Sequence, residues 1–416
     1  MPRSSPARPA LLRQLNDRTV LELLLADGPA SRGDLAARTG LSKPTVAEVV
    51  GRLEESGLLV DAGETVGRPG PNGRLYDVDP ARRVGVGISV EPRGVRAELV
   101  DSRGAVLAAA VDPHGASGAD AATTVAALVA SLAESSGVLP SAVSDVVVAV
   151  PGSYDEAADQ VRHADRVAAW TAPGIAASLS AALPQSALVS IDNDANLALV
   201  AESAATNADG ARNRSLLWLG AGVGLATEID GRLYRGTAGG AGEVGYVPVP
   251  STSSDGSATR QLEFQDLVGA TAVLRLARQH GIAGRSAADA VARAVAGTDA
   301  ASAELLDELA TRVALGLSIV VAVLDPGVVV LGGSTGLAGG AELARRTQRA
   351  LRSRSRLSCA VVPSSVDGDP VLAGARLVAA RRARERLLAA TSIPQQSAPD
   401  RHHLTSLSRT AEEAHR

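Results

Sequence analysis

Between Ser31 and Arg74 the chain carries two short helix signatures, joined by a glycine and followed by a strand pair; no other feature constrains the fold as tightly. Ser31 reads as an N-cap, and Asp34 stands where it can answer the cap reciprocally. Thr39-Gly40 stops this helix at a turn that needs a permissive backbone. Ser42 caps the next helix, with Pro44 in its first turn, where a missing N–H costs nothing. Leu41 before the cap and Val46 inside form a hydrophobic staple. Val46, Val49, Val50 and Leu53 make one apolar stripe, and Gly57 ends the helix. Upstream, residues 11–27 read as a first helix, with Leu12, Leu15, Thr19 and Leu23 near helical spacing. Downstream, Leu58-Leu59-Val60 starts a strand, Asp61 to Glu64 turns, and Arg74 to Val78 returns.

Two helices around a glycine turn with a β-wing behind them suit docking in a DNA major groove. The apolar stripe leaves Ser42, Lys43, Thr45, Ala47, Glu48 and Arg52 on the opposite side as candidate DNA contacts. Lys43 is the one lysine among 41 basic residues, and with Thr45 it lies in the first turn, nearest bases and phosphates. Glu48 can accept from a cytosine amino group, and Arg52 suits a phosphate. Arg68 and Arg74 on the wing complete the set, reaching the minor groove or the backbone. A protein-binding trihelical module with a solvated charged face is the competing interpretation, and the two wing arginines favour DNA. Residues 1–76 are nearly neutral, so nonspecific affinity is modest and a homodimer or homotetramer is expected.

With 416 residues the chain needs two or three domains. Cys359 is its one cysteine, which excludes an internal disulfide and a cysteine-cluster zinc site. The most apolar run, Leu315 to Leu331, is broken by Asp325-Pro326-Gly327 and reads as helix, turn and strand, not as a membrane span. The N-terminus shows no apolar segment of signal-peptide length, so a cytoplasmic protein without membrane contact is expected.

From Val84 strands alternate with helices. Strand pairs are expected at Val84–Val90 with Gly94–Asp101 and at Ser215–Leu219 with Leu225–Leu233, and single strands at 145–150, 187–192 and 328–333. Helices are expected at 121–135, 195–205, 305–324 and 372–388. The expected domains are a flexible arm (1–10), a winged helix-turn-helix (11–66), a wing and linker (67–80), a large α/β domain (81–390) and a disordered tail (391–416).

Four motifs recur in order in that α/β domain: Val150-Pro151-Gly152, Asp192-Asn193-Asp194-Ala195-Asn196, Gly236 to Gly245, and Leu331-Gly332-Gly333. In this order they resemble the ROK family of repressors, open reading frames and sugar kinases. With the N-terminal segment, the chain resembles the family's repressor branch. The resemblance implies an α/β fold, a winged helix-turn-helix joined to a two-lobed actin-like, ribonuclease-H-like domain with a sugar cleft between its lobes. It also implies that Asn193 and Asp194 bind sugar hydroxyls, Asp194 being the general base in a kinase, and that Glu243 is a sugar-contacting acid. Tyr246 and Glu263 join these as candidate ligand contacts.

The departures from the family pattern are as informative. The first phosphate loop, D-x-G-G-T in the kinases, is here Gly87 to Gly94 and contains Pro92, which has no N–H to offer. The second reads Gly220-Ala221-Gly222, without the kinases' threonine. The family's zinc ligands fall on Tyr246, Ser254, Gly256 and Gln261, so no zinc or other cofactor is expected. Arg166 stands near a position where the family carries a sugar-contacting asparagine, and suits an acidic or phosphorylated sugar or simply fills space.

Asn193, Asp194 and Asn196 also suit helix capping after a buried strand. Arg376, Arg381, Arg382, Arg384 and Arg386 read as a solvated helix face, and Phe264 and Trp218 as core. The function expected is a transcriptional regulator, not an enzyme, that binds an operator duplex under control of a sugar effector. An active sugar kinase with a DNA-binding appendage and a ligand-blind DNA-binding protein are the alternatives.

Overall fold

The computed structural model describes residues 7–64, 73–114, 120–206, 212–249, 262–357 and 359–390. The expected turn of the wing and the expected tail lie outside them. The chain divides into two compact units, Met1–Val78 with Leu387–Arg416, and Asp79–Arg386.

The first unit holds α1 (Ala7–Asp27), α2 (Arg32–Thr39) and α3 (Lys43–Glu55), with a sheet of β1 (Ala30–Ser31), β3 (Arg74–Val78) and β2 (Leu59–Glu64) in that order. The Ser31 hydroxyl accepts from the Asp34 N–H at 3.2 Å, and the Asp34 carboxylate accepts from the Ser31 N–H at 3.3 Å, so both caps are made. Gly40, at φ 71°, turns the chain between α2 and α3. Val46, Val49, Val50 and Leu53 of α3 are buried against Val20, Leu21 and Leu24 of α1, Leu35 of α2 and Tyr76 of β3. Each such side chain contributes about 1.5–3 kcal/mol of hydrophobic burial. Leu387 and Leu388 belong to the same cluster.

Two local expectations fail here. Helix α1 begins at Ala7, so residues 7–10 are helical and not an arm. Asp61 to Glu64 does not turn: β2 runs through it with a register shift, and the Asp61 carboxylate accepts from the Gly63 N–H at 2.9 Å. The Asp61-Ala62-Gly63 run inside a strand made a bulge, not a hairpin end.

The second unit contains two five-stranded sheets of matching topology. The first runs β10 (Leu188–Asn193), β7 (Val143–Val150), β4 (Val84–Glu91), β5 (Gly94–Val100) and β6 (Val106–Asp112). Beside it lies the short ribbon β8 (Ser153–Asp155) and β9 (Gln160–Arg162), and α4 (Ala121–Ser136) and α5 (Ile175–Ala182) join its core. The second sheet runs β17 (Ala360–Pro363), β16 (Val328–Gly332), β11 (Arg214–Leu219), β12 (Val223–Ile229) and β13 (Arg232–Leu233). A two-stranded pair, β14 (Pro248–Val249) and β15 (Leu262–Glu263), leads to α7 (Gln265–Val268). Helices α8 (Ala270–Gln279), α9 (Ala287–Ala296), α10 (Ala300–Leu324) and α11 (Gly333–Arg354) share a core with this sheet, which includes Phe264. In each sheet three antiparallel strands are followed by two parallel ones, as a two-lobed ribonuclease-H-like architecture requires.

Helices α6 (Asp194–Ala205) and α12 (Pro370–Ala389) join the lobes: Val147 of β7, Leu197 of α6, Leu216 of β11 and Ala375 of α12 share one buried cluster. A Cβ on Gly374 would lie 1.8 Å from the Leu197 carbonyl oxygen, so only glycine permits this approach. The arginines of α12 are not a merely solvated face. Arg376 pairs with Glu98 at 3.0 Å, Arg386 with buried Asp145 at 3.1 Å, and Arg382 donates to the Ser190 hydroxyl. Strand β6 went unforeseen because its alanine-rich sequence fits helix and strand alike; α8 and α9 went unforeseen although Val273, Leu276 and Ala277, and Ala287, Ala290, Val291 and Ala294, lie at helical spacing and are buried. No helix is long and apolar enough to cross a membrane, among the described residues.

Candidate functional site

Two surfaces carry the residues singled out above. On α3 the Ser42 hydroxyl accepts from the Thr45 N–H at 3.3 Å and lies 2.8 Å from the Thr45 hydroxyl. Ser42, Lys43, Ala47 and Glu48 are exposed and Thr45 is half-buried. Lys43 occupies the first position of the helix, where unpaired backbone N–H groups add a partial positive charge of their own.

Two expected contacts are otherwise engaged. The Arg52 guanidinium binds buried Asp17 on α1, with Nε 3.3 Å from Oδ2. It ties α3 to α1 and has its charge matched there. Arg74 is held by Glu54 at 2.9 Å and Asp61 at 2.8 Å, over the Tyr76 ring. Sequence spacing could not show the acid partners waiting across the unit. Arg68 lies outside the described residues.

The second surface is a cleft of about 390 Å³ between the lobes of the second unit. Asn193 and Asp194 reach it because β10 ends there and α6 begins. The Asn193 side-chain oxygen accepts from the N–H groups of Ala195 (2.8 Å) and Asn196 (3.3 Å), while its amide donates to the Gly152 carbonyl at 3.0 Å. Capping is thus real for Asn193, and it fixes the neighbour: Asp194 sits half-buried on the cleft wall. Burial, with the nearby Glu243 charge adding to it, pushes the Asp194 carboxyl up to about 7. Behind the pair, Asp192 takes the Asn196 amide at 2.8 Å and the Arg235 guanidinium at 2.6 Å.

Glu243 is delivered by the turn at Gly242, whose φ is 93°; a Cβ there would lie 1.8 Å from the Leu225 carbonyl oxygen. Burial raises the Glu243 pKa, while His163 and a hydrogen bond with the Ser153 side chain pull it down. The His163 ring lies 5.2 Å from that of Tyr246, and both line the cleft with Arg166 and Gln265. Glu263 does not line it. Its carboxylate accepts from the Gln265 amide at 2.7 Å, and Gln265 is the residue that reaches the cleft. His163, Gln265 and Ser153 had no sequence signal except that Ser153 follows the Val150-Pro151-Gly152 motif. Trp218 also lines the cleft and is only half-buried, so it is not simply core. Ser254, Gly256 and Gln261 lie outside the described residues.

The opposite wall, formed by the β4–β5 and β11–β12 turns, faces the same space. Glu91 and Gly94 pair across a tight turn formed by Pro92 and Arg93. The Glu91 carboxylate lines the cleft and is held by Arg96, which also reaches Asp369 at 2.8 Å. In the turn between β11 and β12 the Gly220 N–H is taken by the Gly222 carbonyl at 3.0 Å.

Residues 87–382 match the model of the ROK family. The chain belongs to that family. Residues 13–60 match a winged helix-turn-helix DNA-binding model. A curated glucokinase of Halalkalibacterium halodurans is 29% identical over 168 residues, covering 36% of this chain and half of that protein. The xylose repressor of Bacillus subtilis is 23% identical over 246 residues, covering 57% of this chain and 61% of the repressor. The chain therefore spans only part of the length of these relatives. Among solved structures, a ROK family transcriptional regulator described as a homologue of E. coli MLC superposes with a TM-score of 0.66 at 18% identity, over 92% of this chain and 99% of that one. A ROK family glucokinase from Streptomyces griseus, solved with glucose and AMPPNP, gives 0.57 at 21% identity over 71% and 99%. At these identities the structural likeness establishes the shared fold: a winged helix-turn-helix with a ROK domain, in the manner of the repressor-like members.

Proposed function

We infer that this ROK protein is a DNA-binding transcriptional regulator whose affinity for its operator is set by a sugar in the cleft, and that it does not phosphorylate that sugar. The observation carrying this is the asymmetry of the cleft. Asp194 and Glu243 remain positioned to accept hydrogen bonds from ligand hydroxyls, as a sugar site needs. The wall where a nucleotide would place its phosphates presents Pro92, the Glu91 carboxylate and a Gly220 N–H that is already bonded. A carboxylate and a proline on that wall oppose the negative charge that phosphoryl transfer develops.

Ser42, Lys43, Thr45, Ala47 and Glu48 supply the duplex-facing surface, with Lys43 on phosphate and Glu48 on a base edge. No zinc is called for: Tyr246 stands in place of the family's histidine ligand, and Ser254, Gly256 and Gln261 offer neither thiolate nor imidazole. The active protein is a homodimer or a larger homo-oligomer, since a helix-turn-helix needs two half-sites for affinity. The sugar shifts operator binding only if it favours one arrangement of that assembly.

The test selects bound duplexes from a random pool with purified full-length protein, then titrates the selected duplex with and without a panel of hexoses, pentoses and amino sugars. A change in duplex affinity of at least about fivefold with one sugar supports the proposal. Unchanged affinity across the panel rejects the sensor. ADP release with a hexose, ATP and magnesium restores the kinase alternative.

A further inference from the structure

A second hollow in the ROK unit has no place in the regulator just described. It measures roughly 830 Å³ and lies where the end of α6, the start of β11, the β12–β13 turn and α12 meet. Five guanidinium groups line it, those of Arg212, Arg214, Arg232, Arg235 and Arg381, against two carboxylates, Glu228 and Asp230.

Two of the five are accounted for. Arg235 is held by Asp192, with Nε and Nη2 at 3.0 and 2.6 Å from one carboxylate oxygen. Arg214 is buried and donates to the Thr206 hydroxyl. Glu228 is buried too, and its carboxylate takes the Ser203 hydroxyl at 2.7 Å. That leaves Arg212, Arg232 and Arg381, all exposed at the rim. Among the described residues none of the three has a carboxylate partner. The contrast with Arg345, Arg346 and Arg349 is plain, since those three share Glu342 and Asp307.

Like charges gathered around one concavity repel, and a concave low-dielectric wall focuses their field. The planar fork of each guanidinium matches phosphate oxygens two at a time. Val200, Leu233 and Leu377 supply an apolar surface beside the charges. The volume is that of a small-molecule site, not of a groove for a folded partner.

We propose that this hollow binds a small polyanionic phosphate compound, of the diphosphate or sugar-phosphate class, through Arg212, Arg232 and Arg381. The site is separate from the sugar cleft and needs no chemistry there. Arg235 lines the hollow while its charge is spent on Asp192, so it is not one of the anchors.

The experiment uses full-length protein and two probes, pyrophosphate and glucose 6-phosphate, read by isothermal titration and thermal shift at fixed ionic strength. The variants are Arg232→Gln/Arg381→Gln, and Arg352→Gln as an exposed-arginine control outside the hollow. Saturable one-to-one binding of either probe, weakened at least about tenfold by the double variant and untouched by the control, supports the site. No binding, or binding that the double variant and the control change alike, overturns it. Asp194→Asn retains this binding if the site stands, so failure here and failure of the sugar sensor are read in different proteins.

Discussion

The two walls of the ROK cleft face the same space with opposite chemistry. On one, the start of α6 and the Gly242 turn present Asp194 and Glu243 with acceptor capacity left over, and burial raises the pKa of both. On the other, Pro92 has no N–H to offer, the Gly220 N–H is bonded to the Gly222 carbonyl, and Glu91 turns a carboxylate to the same space. Under the proposed function, binding a polyol and moving a phosphoryl group are separable properties of this fold. The first needs a few fixed acceptors; the second needs, in addition, donors aimed where charge develops.

Turnover breaks this comparison most directly. Kinases of ordinary efficiency run at about 1–100 per second. The phosphate wall predicts no ADP release above background with any hexose, by coupled assay, and a rate in that range would end the comparison. Next in size is Asp194→Asn. It costs roughly 10–100-fold in affinity for whichever sugar stabilises the wild type, measured by titration, because a charged acceptor is replaced by a neutral amide.

The pH dependence of that affinity sharpens the point. A hydroxyl-accepting carboxylate must be ionised, so sugar affinity rises by up to about tenfold per pH unit below pH 7 and levels off above it. The sign for stability is reversed. The folded pKa lies above the unfolded one, so the native state holds more protons between about pH 4 and 7. Asp194 therefore costs stability progressively over that window and in full above it. Asp194→Asn without sugar accordingly melts higher than wild type at pH 8, and the gap closes towards pH 4.

Gly242→Ala tests the delivery of Glu243. The added Cβ meets the Leu225 carbonyl at φ 93°, so stability falls by about 1–3 kcal/mol and sugar affinity falls with it, while pyrophosphate binding at the arginine hollow persists. The smallest effect is expected outside the cleft. Lys43→Ala lowers duplex affinity and reduces the slope of log affinity against log salt by about 0.9, with sugar binding unchanged. Arg52→Ala acts differently: it lowers the melting temperature of the winged-helix unit, because its partner is Asp17.

The regular elements were legible where caps and periodicity agreed. Ser31 with Asp34 and Ser42 with Pro44 each appear as their sequence dictates. Strand β6 was hidden in Val-Leu-Ala-Ala-Ala-Val, which fits helix and strand alike. In the cleft, Asp194 and Glu243 were visible through their motifs. Gln265 and His163 were not, because they arrive by tertiary folding from segments without a pattern. Arg52 and Glu263 marked the limit of the same approach: both side chains found a partner within the protein, and a linear sequence does not say which charges will be spent at home.

Lys43 has a practical corollary. A solvent-facing amine at the leading end of α3, in a chain that otherwise uses guanidinium, makes this the one side-chain target for aldehyde or activated-ester reagents. A duplex carrying an abasic aldehyde at successive positions can be trapped on it by borohydride reduction. The position that crosslinks in best yield then reports the register of the helix on its half-site, to the nucleotide and without a crystal.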